Sequence, residues 1–463
     1  MRRPALLLAA LVVPAGARAA GFYTTDAGVR AFGRGSAFTV GVDDVSAQYW
    51  NPAALVRVRR EVGLQLTGVH QAVAFDRADV PGGAPDGGDV EYAPVHNETP
   101  PFPIPALAGA WGHGRVTAAL GLYTPFAPTY AFPDDGPQRY ALIDQQVLQV
   151  RAGPSVGVRV GSGLSVGAGL AWSLLEVDQS LAASVITGGF MPSEDPVYDV
   201  RADLSVRDPL EITWNAGVLW DPGGRFAAGA CFTPPVTYEA RGPLVVDFRG
   251  NVFYTGASEM GRIVSEPEVA DEDVLLEVRM PPMVRVGGLV RPTEAWEVEL
   301  DLAWEGWSTI RNLSLEEVTL DIPTRGDEPM VVDDDVPLSI TLEDAVSVRL
   351  GAERRGPGHA VRTGLFFESA AVDADYAGVQ LPDGPKVGWG LGATVDLAAG
   401  RAHLDAGLSQ AYLLPRALEG SRVAQVRIDP LSTGDGVFGG TLVGDGTLAA
   451  VTTLVGLGLR WTP

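Results

Sequence analysis

The chain has almost no cysteine. Cys231 is the only one in 463 residues, so no disulfide can form within the chain and a disulfide-stapled fold is excluded. Its context, Ala-Ala-Gly-Ala-Cys-Phe, reads as a strand holding a small packed residue. Histidine is scarce too. His70, His96, His113, His359 and His403 never stand at metal-ligand spacing, which argues against a zinc centre. Basic residues are outnumbered: 34 Lys and Arg face 57 Asp and Glu, for a formal net charge of -23. A nucleic-acid partner needs a basic face and is excluded, as is a basic helix lying on a membrane. Charged residues total 20%, below the ~25% usual in soluble domains. After residue 20 no stretch approaches the ~20 apolar residues of a spanning helix. There is no phosphate-cradling glycine loop, and no serine is paired with His403 for hydrolysis. No catalytic residue, metal or cofactor is therefore assigned.

What is present begins with an export signal. Arg2 and Arg3 precede an apolar run from Ala5 to Val13, and Ala17-Arg18-Ala19 fits the small-x-small cleavage rule. Residues 1–19 are expected to be removed. A secreted chain with mean hydropathy +0.12 and no spanning helix points to a closed β-barrel, the other way to satisfy every backbone group in lipid. The 57 glycines and 35 prolines suit an all-β chain rich in turns.

Tight turns are read at Gly112-His113-Gly114, Gly161-Ser162-Gly163, Asp221-Pro222-Gly223-Gly224, Arg291-Pro292-Thr293, Gly356-Pro357-Gly358 and Ala398-Ala399-Gly400. Longer polar or proline-rich stretches alternate with them, near 70–104, 124–142, 178–200, 236–272, 305–337, 369–385 and 411–445. Thirteen connections join fourteen strands, an even number as in bacterial barrels. The strands alternate with period two. Over 296–304, Trp296, Val298, Leu300, Leu302 and Trp304 share one face, and Glu297, Glu299 and Asp301 the other. Trp296 and Trp304 are eight residues apart, or roughly 19 Å along the membrane normal at ~45° tilt, most of the ~25 Å apolar band between aromatic girdles. The long loops are acidic, as at Asp333-Asp334-Asp335, and read as a solvated surface without the spacing of a calcium loop.

Between signal and first strand, residues 20–59 have no strand long enough to span and too many aromatics for a linker. Phe22, Tyr23, Phe32, Phe38, Tyr49 and Trp50 lead into Asn51-Pro52-Ala53. The segment reads as a small folded hatch inside a barrel formed by residues 60–463. Pro52 fixes its own φ and disfavours helix at Asn51, whose side chain is placed to cap the next backbone or bond the wall.

These residues carry a family resemblance. Gly21-Phe22, Gly33 and Gly35, Asp43-Asp44 and Asn51-Pro52-Ala53 resemble the hatch of the FadL/TodX-type outer-membrane transporters of long-chain fatty acids and other hydrophobic compounds. Gly121-Leu122-Tyr123-Thr124-Pro125-Phe126, Asp301 to Ser308 and Val348 to Glu353 are similar to later strand elements of that family. The resemblance implies a fourteen-stranded antiparallel transmembrane barrel in the outer membrane of a Gram-negative cell. It implies passive uptake: capture among outer loops, a lumen pocket, hatch movement, and lateral exit where the third strand kinks. The residues it singles out are Asn51, Pro52 and Ala53 for gating, and Gly121 and Pro125 for the kink. Arg151, Arg285, Arg349 and Arg362, opposite the apolar face by phase, are candidate partners for a fatty acid carboxylate. Phe190 and Met191 are exposed apolar candidates for capture. The expected partners are the hydrophobic ligand, outer-membrane lipid and lipopolysaccharide, and the barrel-assembly machinery, around a monomer. Trp461, two residues before the end, would serve as the aromatic terminal signal. Three alternatives stand beside this reading: an aromatic-hydrocarbon importer on the same fold, a general porin, and a structural surface barrel.

Overall fold

The computed structural model describes residues 27–81, 88–185, 194–248, 251–252, 269–310, 313–316, 319–322, 330–333, 336–338, 341–428 and 437–463. Fourteen antiparallel strands make the wall. They are β1 (Arg60–Arg77), β2 (Phe102–His113), β3 (Val116–Phe126), β4 (Asp144–Gly161), β5 (Leu164–Val185), β6 (Asp199–Trp220) and β7 (Phe226–Thr233). The rest are β8 (Met283–Thr293), β9 (Trp296–Glu305), β10 (Ala345–Gly356), β11 (His359–Glu368), β12 (Lys386–Leu397), β13 (Ala402–Leu413) and β14 (Gly446–Trp461). β7 resumes after two prolines as Val236–Asp247, and β8 is preceded across two prolines by Val269–Met280. β14 pairs with both β13 and β1, as at Leu404↔Leu459 and Leu64↔Leu459, so the barrel closes and leaves no edge strand to lipid.

All six short turns fall where the turn residues put them. Gly114, Gly163, Gly223, Gly358 and Gly400 sit at positive φ, from 61° to 82°, which a tight hairpin reversal needs and glycine accepts without strain. The alternation sets the two faces of the wall. On β1, Val62, Leu64 and Leu66 are exposed to the outside while Glu61 and Gln65 are buried in the lumen. On β9, Trp296, Leu300 and Leu302 face out and Glu299, Asp301 and Glu305 face in. Trp111, Trp220, Trp296 and Trp461 ring the outer face next to the short turns.

The long connections begin later than the sequence suggests. A loop is expected from residue 70, from 178 and from 236, yet β1 runs to Arg77, β5 to Val185, and the second part of β7 to Asp247. Pairing continues because the backbone ladder does not need apolar side chains. Asp178↔Ser205 and Gln179↔Leu204 extend β5 and β6 past the apolar band. The collar so formed is filled from within by Phe75, Leu142, Val177, Val206 and Tyr238, a core that lies in the outer half of the lumen.

Leu300, half exposed on the lipid face midway between Trp296 and Trp304, tests this assignment. Leu300→Arg is expected to destabilise the barrel by about 2–4 kcal/mol, as for a cation at the bilayer midplane, measured by reversible unfolding in lipid vesicles.

Candidate functional site

The hatch is built from short pieces: α1 (Val29–Phe32), α2 (Ala47–Trp50) and a 3-10 helix over Pro52–Arg57. Helices this short do not hold themselves. The wall holds them, chiefly through β9. One oxygen of Asp301 accepts the backbone N–H of Phe38 and of Thr39, both at 2.9 Å. Glu299 accepts those of Val40 at 2.5 Å and Gly41 at 2.9 Å, and pairs with Arg34 at 2.9 Å. Around them lies a buried ionic network. Arg30 bonds Asp43 at 2.5 Å and Asp44 at 2.9 Å, Arg355 meets Asp43 at 2.9 Å, Arg362 meets Glu353 at 2.6 Å, and Arg460 meets Asp405 at 2.6 Å. Burial opposes ionisation of Asp43, but Arg30 and Arg355 outweigh it and hold its carboxyl well below the usual range.

Asn51 is fully buried and does both things its position allows. Its Oδ1 accepts the Ala53 N–H at 3.1 Å, capping the 3-10 helix, and its Nδ2 donates to Thr39 O and to Val218 O of β6, each at 3.1 Å. Pro52 occupies the first position of that helix. The motif lies directly on bare backbone. A Cβ at Gly167 would stand 2.3 Å from Pro52 C, and one at Gly217 2.1 Å from Asn51 Oδ1. These wall glycines are functional positions that sequence reasoning passed over, although both stand on the lumen phase of their strands.

Against the hatch lies a cavity shared between hatch and wall. Gln48 and Tyr49 of the hatch, Tyr123, Phe126, Arg151 and Arg285 are among its lining residues. Arg285 donates to Tyr49 OH at 3.0 Å and lies over the Tyr49 and Trp50 rings, 4.8 and 5.0 Å from their centroids. Arg151 is 8% exposed, its Nε has no hydrogen-bond partner, and it makes no ion pair among the described residues. The other two candidate arginines face the lumen elsewhere. Arg349 bonds Ser347 and approaches Glu368 at 3.6 Å; Arg362 belongs to the hatch network and bonds Thr394 at 2.6 Å. Phe190 and Met191 fall outside the described residues.

The third strand is irregular where proline enters it. The β2–β3 ladder ends at Leu107↔Leu122, and the β3–β4 register shifts between Tyr123 and Phe126, around Pro125. Gly121 lies just before, still paired with Ala108 and Gly153, and faces the hatch: a Cβ there would meet Gln48 Nε2 at 1.7 Å. A second, smaller and mainly apolar cavity of about 340 Å³ opens at the end of this ladder, between Val45 of the hatch and Ala106, Leu107, Leu122 and Tyr123.

A closed barrel with lipid-facing leucines, an aromatic girdle and a lumen filled by its own N-terminal segment is an outer-membrane barrel of the plugged kind. The profile of the outer membrane protein transport protein family (OMPP1/FadL/TodX) matches residues 10–436, and the chain belongs to that family. Its fold is similar to that of a Pseudomonas aeruginosa FadL homologue, with a TM-score of 0.73 and 15% identity over 96% of this chain and 99% of that one. It is similar also to the Ralstonia pickettii toluene transporter TbuX (TM-score 0.62, 14% identity, 94% and 98% covered) and the Pseudomonas putida toluene transporter TodX (0.63, 12%, 96% and 99%). No curated protein matches the chain. The family places it in the outer membrane as a transporter of hydrophobic compounds.

The lowered Asp43 pKa fixes the sign of a pH test. A depressed carboxyl stabilises docking at and above the usual carboxylate range, and that contribution disappears only as pH falls through the lowered value. The extra backbone exchange protection that Asp43 gives residues 27–57, read as the difference between the wild type and Asp43→Asn, is therefore expected to persist down to about pH 4. Loss of that difference near pH 5 would contradict the Arg30–Asp43–Arg355 clamp.

Proposed function

We propose that the chain passively imports long-chain fatty acids or similar amphiphiles with an anionic head. The observation that carries this reading is Arg151. A buried guanidinium nitrogen without a partner is costly, and Arg151, whose Nε has none, lines a cavity that also presents Tyr49, Tyr123, Phe126 and Met283. A carboxylate beside Arg151 and Arg285 would supply that partner while the acyl chain lies among Tyr49, Tyr123 and Phe126. Keeping the chain out of water matters, because each exposed CH₂ forfeits about 0.8 kcal/mol. In this reading Asn51-Pro52-Ala53 is the gating element, because its bond to Val218 on the wall must give way for the hatch to move. The gap above Leu107 and Leu122, with Pro125 at its edge, is the lateral exit, and Phe190 and Met191 serve in capture.

A second reading is an aromatic hydrocarbon as cargo. It is favoured by the edge-on rings of Tyr49 and Tyr123, 5.2 Å apart at the cavity wall. That cargo has no use for Arg151. In a Gram-negative strain lacking its own fatty acid importer, Arg151→Leu is expected to lower chain-dependent oleate uptake by roughly tenfold, since a charge-assisted bond is worth about 1.5–3 kcal/mol. Toluene uptake is expected to stay level. Oleate uptake unchanged by the substitution, with toluene carried, would favour the hydrocarbon.

A further inference from the structure

The wall is not uniformly paired. β6 and β7 are joined near the short turns, where Ala216–Trp220 meet Ala228–Phe232, and again in the collar, where Arg201–Arg207 meet Arg241–Asp247. Between these two ladders, residues 208–215 of β6 and 233–240 beside them share no ladder pair among the described residues.

The sequence explains the lapse. β6 changes phase across Pro209-Leu210: Arg207 is exposed and Asp208 buried, whereas Thr213 is buried and Trp214 exposed. The register with β5 moves there by one residue, from Ser173↔Glu211 to Leu175↔Asp208, which marks a bulge. The second strand changes phase across Pro234-Pro235, with Cys231 buried on one side and Val236 on the other. The two flips stand at different levels, so the inward faces of the strands disagree between them. Proline also removes donors. Pro234-Pro235 stands opposite Pro281-Pro282, between the pairs Thr233↔Met283 and Val236↔Met280. The β4–β5 ladder skips a step at the same level, where Gly153 and Pro154 face Leu170 and Ala171.

The lumen cavity lies along this level. Gly153, Leu170, Thr213, Trp214, Thr233 and Pro281 are all among its lining residues. Leu170 and Trp214 point to the lipid and are 51% and 46% exposed. The cavity that holds Arg151 thus borders the stretch of wall from which these two lipid-facing residues project. The seam has firm margins. Above, the Asp208 carboxylate accepts the N–H of Glu239 at 2.9 Å and of Leu210 at 3.1 Å. Below, the rings of Trp214 and Phe232 meet edge-on at 5.7 Å.

The seam lies between a different pair of strands from the β2–β3 gap. Trp220 marks the girdle at the short turns. Trp214 and Leu210 stand about 14 and 23 Å above it at ~45° tilt, in the outer half of the ~25 Å apolar band. The β2–β3 gap begins about 9 Å above Trp111, at Leu107, and runs upward from there, so the two openings overlap in height and differ in their place around the wall. We propose that the β6–β7 seam is a second lateral portal, through which amphiphiles already dissolved in the outer leaflet reach the lumen cavity without passing the loops. The proposal rests on the fatty acid reading of that cavity. Two unpaired seams between different strand pairs, one beside the Arg151 cavity and one beside the smaller cavity at Leu107, would give an acyl chain one way in from lipid and another way out. Lipid-exposed unpaired backbone is costly, and a wall already lacking its ladder loses least by opening.

The test bridges the seam. In a Cys231→Ser background, Ile212→Cys and Thr237→Cys place two outward thiols across it. The full chain in lipid nanodiscs is either bridged with a flexible bis-maleimide or capped on each thiol with N-ethylmaleimide, so both samples are the same folded variant. A long-chain fatty acid carrying a diazirine is delivered dissolved in the bilayer or from albumin in water, and photo-cross-linking to residues 48–50 and 151 is followed in time. Bridging is expected to slow labelling from the bilayer several-fold, because only the β2–β3 gap is then open to lipid, and to leave labelling from water unchanged. Equal rates from the bilayer with the seam bridged or capped would overturn the portal. No labelling of the capped protein by either route would overturn the fatty acid reading, and the portal with it.

Discussion

Two carboxylates on β9 set the position of nearly everything that acts. Glu299 and Asp301 are the inward residues of a strand whose outward residues meet lipid, and together they accept four consecutive N–H groups from residues 38–41. Without them, four buried donors would have no partner, a cost of about 1–3 kcal/mol each. The hatch has too little helix and sheet of its own to absorb that. Its fixed position presents Gln48 and Tyr49 to the lumen cavity and brings Asn51 within reach of Val218 on β6. The period-two pattern that makes a membrane wall is, on this strand, also the pattern that docks the plug.

The lumen is mostly a place of matched charge. Arg30, Arg34, Arg362 and Arg460 all meet carboxylates, as buried ions must, and the exposed Arg355 joins them at Asp43. The matching fails at the cavity. Among the described residues Arg151 makes no ion pair, and its cavity is lined by aromatic rings and neutral polar groups where the opposite wall supplies Glu and Asp. The prolines and glycines that thin the wall lie at the same level. Charge, aromatic surface and weak pairing therefore coincide on one side of the barrel, where the Gln48–Pro52 end of the hatch also rests.

Much of this was legible in the sequence. Turn chemistry located all six short connections, because Gly, Pro and Asp serve reversals for local reasons that do not depend on the rest of the fold. Alternation gave the faces of β1 and β9 correctly for the same reason. It misplaced the starts of the long loops, since polar alternation in the collar looks like loop composition although the ladder continues, as at Asp178↔Ser205. Phase placed Arg151, Arg285, Arg349 and Arg362 on the lumen side, but phase has no information about height or position around the barrel. Two of the four line the cavity, one lies in the hatch network, and one is near Glu368. The seam was also hidden: Pro234-Pro235 and Pro281-Pro282 read as strand ends until the register set them opposite each other.

The central claim is that cargo moves along apolar surface through a barrel kept closed to water by its hatch. The most direct measurement is single-channel recording from the full-length protein in planar bilayers at high salt. The hatch network and the buried Asn51 contacts lead to the expectation of no steady ohmic steps. Stable conductance steps of uniform size would contradict the claim and make the lumen an aqueous pore.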